Sequence, residues 1–228
     1  GFEGPMTLKR GLARSRNMIS IRVLQAITPR YAQDWIAHFG FDADKHPPYL
    51  TMALGAGAVT PWQMVSGYAV FANGGYKINP FIVREIRDER NNVIARAAET
   101  PAGDESTRAI DPRNAFMMDT MLRDVTIYGT AAKASVTLKR QDLAGKTGTT
   151  SDYKDAWFVG YTGGFVTAVW VGKDDNTPMR GVTGGSSPAA IWRGFMAAAL
   201  PRLNAPAISN GPPMPEGWIA PDPVGDLI

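Results

Sequence analysis

Three consecutive strand-like segments in the second half of the chain most constrain what it can fold into. The segments 143–149, 156–161 and 165–172 are rich in the residues and the alternation that strands favour. The last two are joined only by Thr162-Gly163-Gly164, a connection typical of a hairpin, so they should pair antiparallel. The run 189–200 is apolar on most faces of a helix and should pack on this sheet. We therefore expect an antiparallel sheet covered by helices.

The spacing of apolar residues, with capping residues and prolines, predicts further helices in the first half of the chain. Thr60-Pro61 and Asp111-Pro112 each place a capping side chain before a proline at the first helical position. Alternation around Asn91-Asn92 predicts a short β-hairpin with these residues in its turn. The predicted helices lie at 6–14, 17–27, 29–39, 60–72 and 111–125, and the hairpin at 81–95.

The chain of 228 residues is long enough for one large domain or two small ones. Seven prolines fall in the last 28 residues, from Pro201 onward, which argues against regular structure there. We expect residues 1–200 to form the folded portion and 201–228 to be a proline-rich linker. The chain begins at Gly1 in what reads as a loop, and we expect it to be part of a longer protein.

Composition argues against several classes of function. The net charge is +3 and the basic residues are scattered, so no nucleic-acid-binding surface is predicted. There is no cysteine, which excludes thiol chemistry and is compatible with an oxidising compartment. His38 and His46 are the only histidines, so a zinc site is not expected. Nothing in the sequence marks either histidine as part of a Ser-His-Asp triad. No cofactor is expected. No apolar run reaches about 18 residues and no signal peptide is visible, so no membrane span is expected.

The first of the three strands carries a cation, hydroxyls and a bare glycine in alternation. Because side chains alternate faces along a strand, Lys146 and Gly148 should share one face, and Thr147 and Thr149 the other. Gly148 leaves the backbone open to a ligand, and such a strand edge suits a carboxylate or a developing oxyanion. The alternative is a plain strand ending in a Gly-Thr turn, since a K-[ST]-G triplet occurs by chance in roughly one in ten chains of this length.

A phosphate-binding loop is a rival interpretation of the same residues. Gly145-Lys146-Thr147 resembles the end of the G-x-x-x-x-G-K-[ST] motif, but that motif needs a glycine where this chain has Arg140. The segment 136–143 is not rich in glycine either. Both observations argue against nucleotide binding at this loop.

The chain combines an S-x-N triplet at 15–17 and a K-T-G-T-T strand at 146–150 with six further segments at 54–56, 71–75, 129–131, 155–161, 169–172 and 183–185. Taken together, these motifs resemble the C-terminal part of the transpeptidase domain of penicillin-binding proteins, and most closely the bifunctional class A enzymes of the 1A type. The family's motif set is S-x-x-K, S-D-N and K-T-G. Ser15-Arg16-Asn17 resembles the second motif, and Lys146-Thr147-Gly148-Thr149-Thr150 the third. Other segments, which follow the family's order between residues about 5 and 200, are Leu54-Gly55-Ala56, Phe71-Ala72-Asn73-Gly74-Gly75, Gly129-Thr130-Ala131, Asp155-Ala156-Trp157-Phe158-Val159-Gly160-Tyr161, Val169-Trp170-Val171-Gly172 and Thr183-Gly184-Gly185.

This resemblance implies an α/β (α+β) fold of the penicillin-binding protein and serine β-lactamase type, an antiparallel sheet flanked by helices, here incomplete at the N-terminus. Three of the family's five strands are present, and the S-x-x-K segment with its nucleophilic serine is expected upstream of Gly1. The parent protein is expected to be anchored in the bacterial inner membrane, to act on its periplasmic side and to carry a glycosyltransferase domain. The fragment should be inactive alone and should expose a sheet edge and a sheet face.

The same resemblance implies a peptidoglycan D,D-transpeptidase that acts on stem peptides ending in D-Ala-D-Ala and is acylated by β-lactams. Ser15 would relay a proton to the leaving D-alanine, and Asn17 would hold the substrate amide. Lys146 would supply positive potential and hydrogen-bond Ser15, so these two side chains should face one cleft. The plain alternatives are a helix cap for Ser15 and a turn residue for Asn17.

The third motif is implied to bind the end of the substrate. The hydroxyls of Thr147 and Thr149 would hold the terminal carboxylate, and the backbone N–H of Thr149 would donate to the oxyanion. Gly148 and Thr150 complete this substrate-binding set. Contact with a membrane is expected only through an anchor outside this chain.

Two segments that look like the first motif are rejected as nucleophiles: residues 151–154 have the S-x-x-K pattern, and residues 130–133 have a similar shape with threonine in place of serine. Ser151-Asp152-Tyr153-Lys154 follows the third motif, and Thr130-Ala131-Ala132-Lys133 belongs to the family's glycine-threonine-alanine segment.

Two alternative functions stay open. One is a serine β-lactamase or β-lactam sensor, which shares the motifs, and the other is an inert structural or binding piece. The segments 155–161 and 73–75 favour the transpeptidase.

Overall fold

The computed structural model describes residues 3–101 and 103–208 of the chain. Within these residues, an antiparallel sheet of three strands lies between helices that pack on both of its faces. The helices are α1 (Leu8–Ala13), α2 (Asn17–Ile27), α3 (Pro29–Trp35), α4 (Pro61–Ala72), α5 (Pro112–Ile127), α6 (Lys133–Leu138) and α7 (Ser187–Leu203). The strands are β1 (Glu85–Arg87), β2 (Val93–Arg96), β3 (Ala144–Thr149), β4 (Asp155–Thr162) and β5 (Phe165–Gly172). Short 3₁₀ helices occupy Ile36–Phe39, Ala43–Lys45, Leu50–Leu54 and Glu105–Thr107.

The main sheet has the order β3-β4-β5, and both strand pairs are antiparallel. Thr162 lies opposite Phe165 across the tight turn between β4 and β5. Lys146 of β3 lies opposite Val159 of β4. The predicted hairpin is therefore confirmed, and the predicted three strands form one sheet.

Strands β1 and β2 form a separate antiparallel hairpin whose turn is closed by Asp88. The Asp88 carboxylate accepts the backbone N–H groups of Arg90, at 2.9 Å, and Asn92, at 2.8 Å. Asn91 has a φ of +64°, a left-handed conformation that asparagine tolerates better than most residues. The predicted hairpin, with Asn91-Asn92 in its turn, is confirmed.

Capping side chains explain where the predicted helices begin. At α4, the N–H of Gln63 donates to the Thr60 hydroxyl at 3.1 Å and the Gln63 side chain accepts the Thr60 N–H at 3.0 Å, a complete capping box. At α5, the Asp111 carboxylate accepts the N–H of Arg113 at 2.8 Å. Helix α6 is absent from the prediction because its six residues begin after Ala132 without any side-chain cap.

One face of the main sheet packs on α6 and α7. Phe158 of β4 and Trp192 of α7 are fully buried, and their rings meet edge to face with centroids 5.0 Å apart. Leu143, Ala134 and Met196 belong to the same buried cluster. The prediction that the last helix packs on the sheet is confirmed.

The opposite face packs on α4 and α5, with Tyr161 of β4 near its centre. The buried Tyr161 hydroxyl donates to the carboxylate of Asp119, at 2.5 Å, and Asp119 is 5% exposed. Burial raises the pKa of Asp119 to about 6, although the hydrogen bond from Tyr161 and the charge of Arg123 oppose this change. Asp119 is therefore an ionisable group enclosed between the sheet and α5.

We expect Asp119 to make the free energy of unfolding depend on pH. Because its pKa is about 6 in the folded protein and 3.8 ordinarily, the folded chain holds a proton between these values that the unfolded chain releases. This proton stabilises the folded state fully below about pH 4. The free energy of unfolding should therefore fall by about 2–3 kcal/mol as the pH rises from 4 through 6. Asp119→Asn cannot titrate, so its stability relative to the wild type should rise between pH 4 and 7. Denaturant unfolding at several pH values measures this difference, and a difference independent of pH would contradict the prediction.

Helix α7 continues past the predicted boundary at residue 200 and contains Pro201 in its last turn. The residues that follow it pack on the body of the protein, since the Thr162 hydroxyl donates to the carbonyl of Pro206 at 3.3 Å and Ile208 is buried. Ordered structure therefore extends into the segment whose prolines argue against it. The remainder, 209–228, lies outside the described residues, and the division into 1–200 and a linker at 201–228 stays a prediction.

Strand β5, one of the two outer strands of the sheet, is only partly covered. Among the described residues β5 pairs with β4 alone, and Trp170 of β5 is 44% exposed. This agrees with the expected open sheet edge. None of the helices in the described part of the chain combines the length and the apolar character needed to cross a membrane.

Candidate active site

Ser15 lies in the short connection between α1 and α2 and has a left-handed backbone, with a φ of +53°. Its N–H donates to the carbonyl of Leu12 at 3.0 Å, which closes the end of α1. A residue other than glycine in this conformation costs on the order of 1–3 kcal/mol, and such strain concentrates at functional sites. Arg16, rather than Ser15, is the residue that precedes α2, and it makes no side-chain capping bond. The plain interpretation of Ser15 as a cap of α2 is therefore not observed.

Contacts with α5 and with the turn after it hold α1 in place. The ammonium of Lys9 lies 3.2 Å from the carboxylate of Asp124, which is largely buried. The carbonyl of Ala13 accepts the N–H of Thr130 at 3.1 Å. Gly129 allows this approach, because a Cβ there would lie 2.3 Å from the Ala13 oxygen. These contacts fix the segment that carries Ser15 beside strand β3.

Lys146 lies on β3 and reaches Ser15. Its Nζ donates to the Ser15 hydroxyl at 2.8 Å and to the carbonyl of Thr147 at 2.9 Å. The predicted proximity of the two side chains in space is confirmed. An ammonium has three N–H donors, so one is left for another acceptor. Burial lowers the pKa of Lys146 to about 8, and the group is therefore still mainly a cation at pH 7.

The two threonine hydroxyls of β3 contact residues other than the Ser15 that Lys146 contacts, as expected if they lie on the opposite face of the strand. The hydroxyl of Thr147 lies 2.7 Å from that of Thr130, and either group can be the donor. The hydroxyl of Thr149 accepts the N–H of Gly184 at 3.0 Å. Gly184 lies so close to β3 that a Cβ at this position would be 2.5 Å from the carbonyl oxygen of Gly148. The loop around Gly184 and the turn at Thr130 thus flank the third motif.

The structure places Thr150 outside this arrangement. Its hydroxyl accepts the N–H groups of Lys154, at 2.9 Å, and Asp155, at 3.0 Å, and so closes the turn between β3 and β4. Gly148, by contrast, lies in the strand opposite Trp157 and places no side chain on the strand face that it shares with Lys146. A substrate-binding role for Thr150 stays a prediction, and its observed role is in the turn.

Asn17 is the first residue of α2 and is exposed beside Ser15. Both residues line a groove of about 740 Å³. The other residues of this groove are Glu3, Gly4, Pro5, Met6, Arg16, Met18, Ile19 and Arg22. The structure therefore brings Ser15 and Asn17 to one groove and Lys146 to Ser15, while the catalytic roles of all three stay predictions.

The rejected matches to the first motif have other contacts. Lys154 lies 3.5 Å from the carboxylate of Asp152 in the turn after β3, and the Thr130 hydroxyl contacts Thr147. Among the described residues there is no group of three or more histidine, aspartate or glutamate side chains that could hold a metal ion.

The contacts made by Thr130 and Gly184 were not predicted from the sequence. The signal available was their position in the two segments that resemble the family, Gly129-Thr130-Ala131 and Thr183-Gly184-Gly185. That resemblance marks the segments without saying what they touch. Both lie far in the sequence from the threonines that they contact.

Comparison with known sequences shows which family this chain resembles. A family profile described as the penicillin binding protein transpeptidase domain matches residues 2–197. Penicillin-binding protein 1A of Neisseria lactamica is 43% identical over 220 residues, which is 96% of this chain and 27% of that protein. Penicillin-binding protein 1A of Pseudomonas aeruginosa is 38% identical over 245 residues, covering 87% of this chain and 30% of that protein. The chain thus spans about a quarter to a third of the length of these relatives.

Solved structures show the same fold. The crystal structure of penicillin-binding protein 1A from Haemophilus influenzae matches with a TM-score of 0.81 and 31% identity, over 92% of this chain and 36% of that one. PonA1 of Mycobacterium tuberculosis matches with a TM-score of 0.72 and 25% identity, over 94% of this chain and 63% of that one. The predicted fold class and the predicted resemblance to the 1A type are confirmed. With a match over 2–197, the chain belongs to the penicillin-binding protein transpeptidase domain family.

Proposed function

We propose that this chain is the C-terminal part of the transpeptidase domain of an enzyme that cross-links peptidoglycan by acyl transfer from stem peptides ending in D-Ala-D-Ala. The observation that carries the proposal is the 2.8 Å contact between Lys146 Nζ and the Ser15 hydroxyl in a member of this family. Acyl transfer needs a nucleophile, a proton donor for the leaving amine and donors for the oxyanion. The nucleophilic serine would come from an S-x-x-K segment in the part of the relatives that this chain does not span.

Ser15 and Lys146 would deliver the proton to the leaving group. The lysine of the S-x-x-K segment would take the proton of the nucleophilic serine as the serine oxygen bonds to the carbonyl carbon. When the bond to the D-alanine nitrogen then breaks, that nitrogen must gain a proton. Because Lys146 donates to the Ser15 oxygen, the hydroxyl hydrogen of Ser15 is free to point to the nitrogen. Ser15 could then recover a proton from Lys146, whose pKa is lowered to about 8 by burial and which is therefore a stronger acid than an ordinary lysine.

The other motif residues would position the substrate. The hydroxyls of Thr147 and Thr149 would donate to the terminal carboxylate, and the backbone N–H of Thr149 to the oxyanion. Asn17, which shares a groove with Ser15, would hold the amide of the stem peptide. The third N–H of Lys146 adds a positive donor on the other face of the same strand.

The whole enzyme would use this site in the setting implied by the 1A resemblance. We infer that the transpeptidase site acts on the periplasmic side of the bacterial inner membrane. Sequence outside this chain would supply the membrane anchor and a glycosyltransferase domain. The same proposal includes a serine-type acyl-enzyme and acylation of the enzyme by β-lactams. It also includes hydrolysis of stem peptides as a carboxypeptidase side reaction. The match to relatives named penicillin-binding protein 1A favours this function over a serine β-lactamase, a β-lactam sensor or an inert piece.

Mass spectrometry after incubation with benzylpenicillin tests the proposal on two proteins. The full-length enzyme should gain the mass of one penicillin on the serine of its S-x-x-K segment, and should release D-alanine from a stem peptide. Residues 1–228 alone should gain no adduct, because the S-x-x-K segment with the nucleophilic serine would lie outside this chain. A full-length protein that is neither acylated nor able to release D-alanine would contradict the function. An adduct on Ser151 or Thr130 would overturn the rejection of those two matches.

A further inference from the structure

Thr130 connects the two parts of the candidate active site that are furthest apart in sequence. Its backbone N–H donates to the carbonyl of Ala13, two residues before Ser15, and its hydroxyl lies 2.7 Å from the hydroxyl of Thr147. The Thr130 side chain is exposed on the side where β3 carries its threonines. One residue therefore contacts both the segment of the second motif and the strand of the third.

The number of hydroxyl hydrogens decides what this contact can do. The hydroxyls of Thr130 and Thr147 are 2.7 Å apart, and one of them donates its hydrogen to the oxygen of the other. The hydrogen of the accepting hydroxyl remains available to a further acceptor. The Thr149 oxygen accepts from the N–H of Gly184, a contact that leaves its O–H hydrogen free as well. When Thr130 is the donor of the pair, strand β3 presents two free O–H donors on one face, those of Thr147 and Thr149. A carboxylate accepts at both of its oxygens and has no hydrogen to give, so it matches this face.

We propose that Thr130 is a positioning residue for the recognition of the substrate's terminal carboxylate, acting by fixing the orientation of the Thr147 hydroxyl. Without Thr130 the Thr147 hydroxyl can rotate freely, and the strand loses a preorganised donor. This inference rests on the proposed function, because it assumes that Thr147 meets the carboxylate of a D-Ala-D-Ala peptide. It adds a residue that lies outside the three motifs.

Thr130→Val and Thr130→Ser in the full-length enzyme separate this role from a purely structural one. Valine keeps the shape and removes the hydroxyl, while serine keeps the hydroxyl. For a stem peptide ending in a free D-Ala carboxylate, Thr130→Val should raise KM about fivefold, the size expected for one neutral hydrogen bond, with kcat within about twofold. Thr130→Ser should restore KM. For the same peptide with an amidated C-terminus, kcat/KM should be the same in the wild type and in both variants.

A double-mutant cycle shows whether Thr130 acts through Thr147. Thr130→Val combined with Thr147→Val should lose no more than Thr147→Val alone, since the partner is already gone. Equal losses on the two peptides, no loss on either, or full additivity in the cycle would each overturn the proposal. If Thr130→Val does not fold, Thr130→Ala replaces it in the same comparison. Failure of the wild-type enzyme to release D-alanine from either peptide would instead contradict the proposed function.

Discussion

Replacing Lys146 by alanine in the full-length enzyme should slow acylation by benzylpenicillin about 10²–10³-fold, which corresponds to about 2.7–4 kcal/mol of transition-state stabilisation. The variant loses a cation and, with it, the 2.8 Å hydrogen bond that directs the Ser15 hydroxyl. Because Lys146 is half-buried, water does not replace its charge at equal strength. The second-order rate constant of acylation, followed with a fluorescent penicillin, measures the effect.

Lys133→Ala is the matched control for this prediction. Lys133 is an exposed lysine at the start of α6 and belongs to the rejected match at 130–133, so its removal should leave the acylation rate unchanged. In the wild type, acylation should decline as the pH rises through about 8, because the pKa of Lys146 is lowered to about 8 and the neutral amine loses the charge. Lys146→Ala should lack this decline. Acylation by Lys146→Ala at the parental rate would remove Lys146 from the mechanism.

Elements with strong local signals could be predicted from the sequence. Helix α2 spans the predicted residues 17–27 and β5 the predicted 165–172. Pro29 follows the end of α2, and Gly163-Gly164 precede the start of β5. Helix α6 could not be predicted, since it is short and uncapped and forms where it can pack between α5 and α7. The extension of α7 through Pro201 also depends on packing, which the count of prolines does not reveal.

The candidate site was predictable in its parts but not in its contacts. Alternation along β3 correctly separates Lys146 from Thr147, because it is a property of one strand. The contact of Lys146 with Ser15 spans 131 positions and was predicted only through the family resemblance. The contacts of Thr147 with Thr130 and of Thr149 with Gly184 depend on how turns from different elements meet, which no local pattern records.

A single methyl group at position 129 should damage both the fold and the site. The Cβ of Gly129→Ala would lie 2.3 Å from the Ala13 oxygen and 2.7 Å from the Cα of Val125. Both are backbone atoms, so no side-chain rotation relieves the clash, and the end of α1 must move away from α5. We expect a loss of about 1–3 kcal/mol in the free energy of unfolding. Because this movement displaces Ser15 from Lys146, and a misplacement of about 1 Å can cost about 10²-fold in rate, acylation should fall by about 10²-fold.

Gly194→Ala provides the matched control, since this glycine lies in α7 and a Cβ there would meet no atom within 4 Å. That variant should be as stable as the wild type or up to about 1 kcal/mol more stable, because alanine favours the helix, and its acylation rate should not change. Thermal unfolding and acylation by benzylpenicillin, measured on both variants of the full-length enzyme, give the comparison. If Gly129→Ala unfolds at a lower temperature but acylates at the parental rate while folded, the close approach of residues 13 and 129 supports stability alone. If it matches the wild type in both measurements, Gly129 is not required for the contact that places Ser15 beside Lys146.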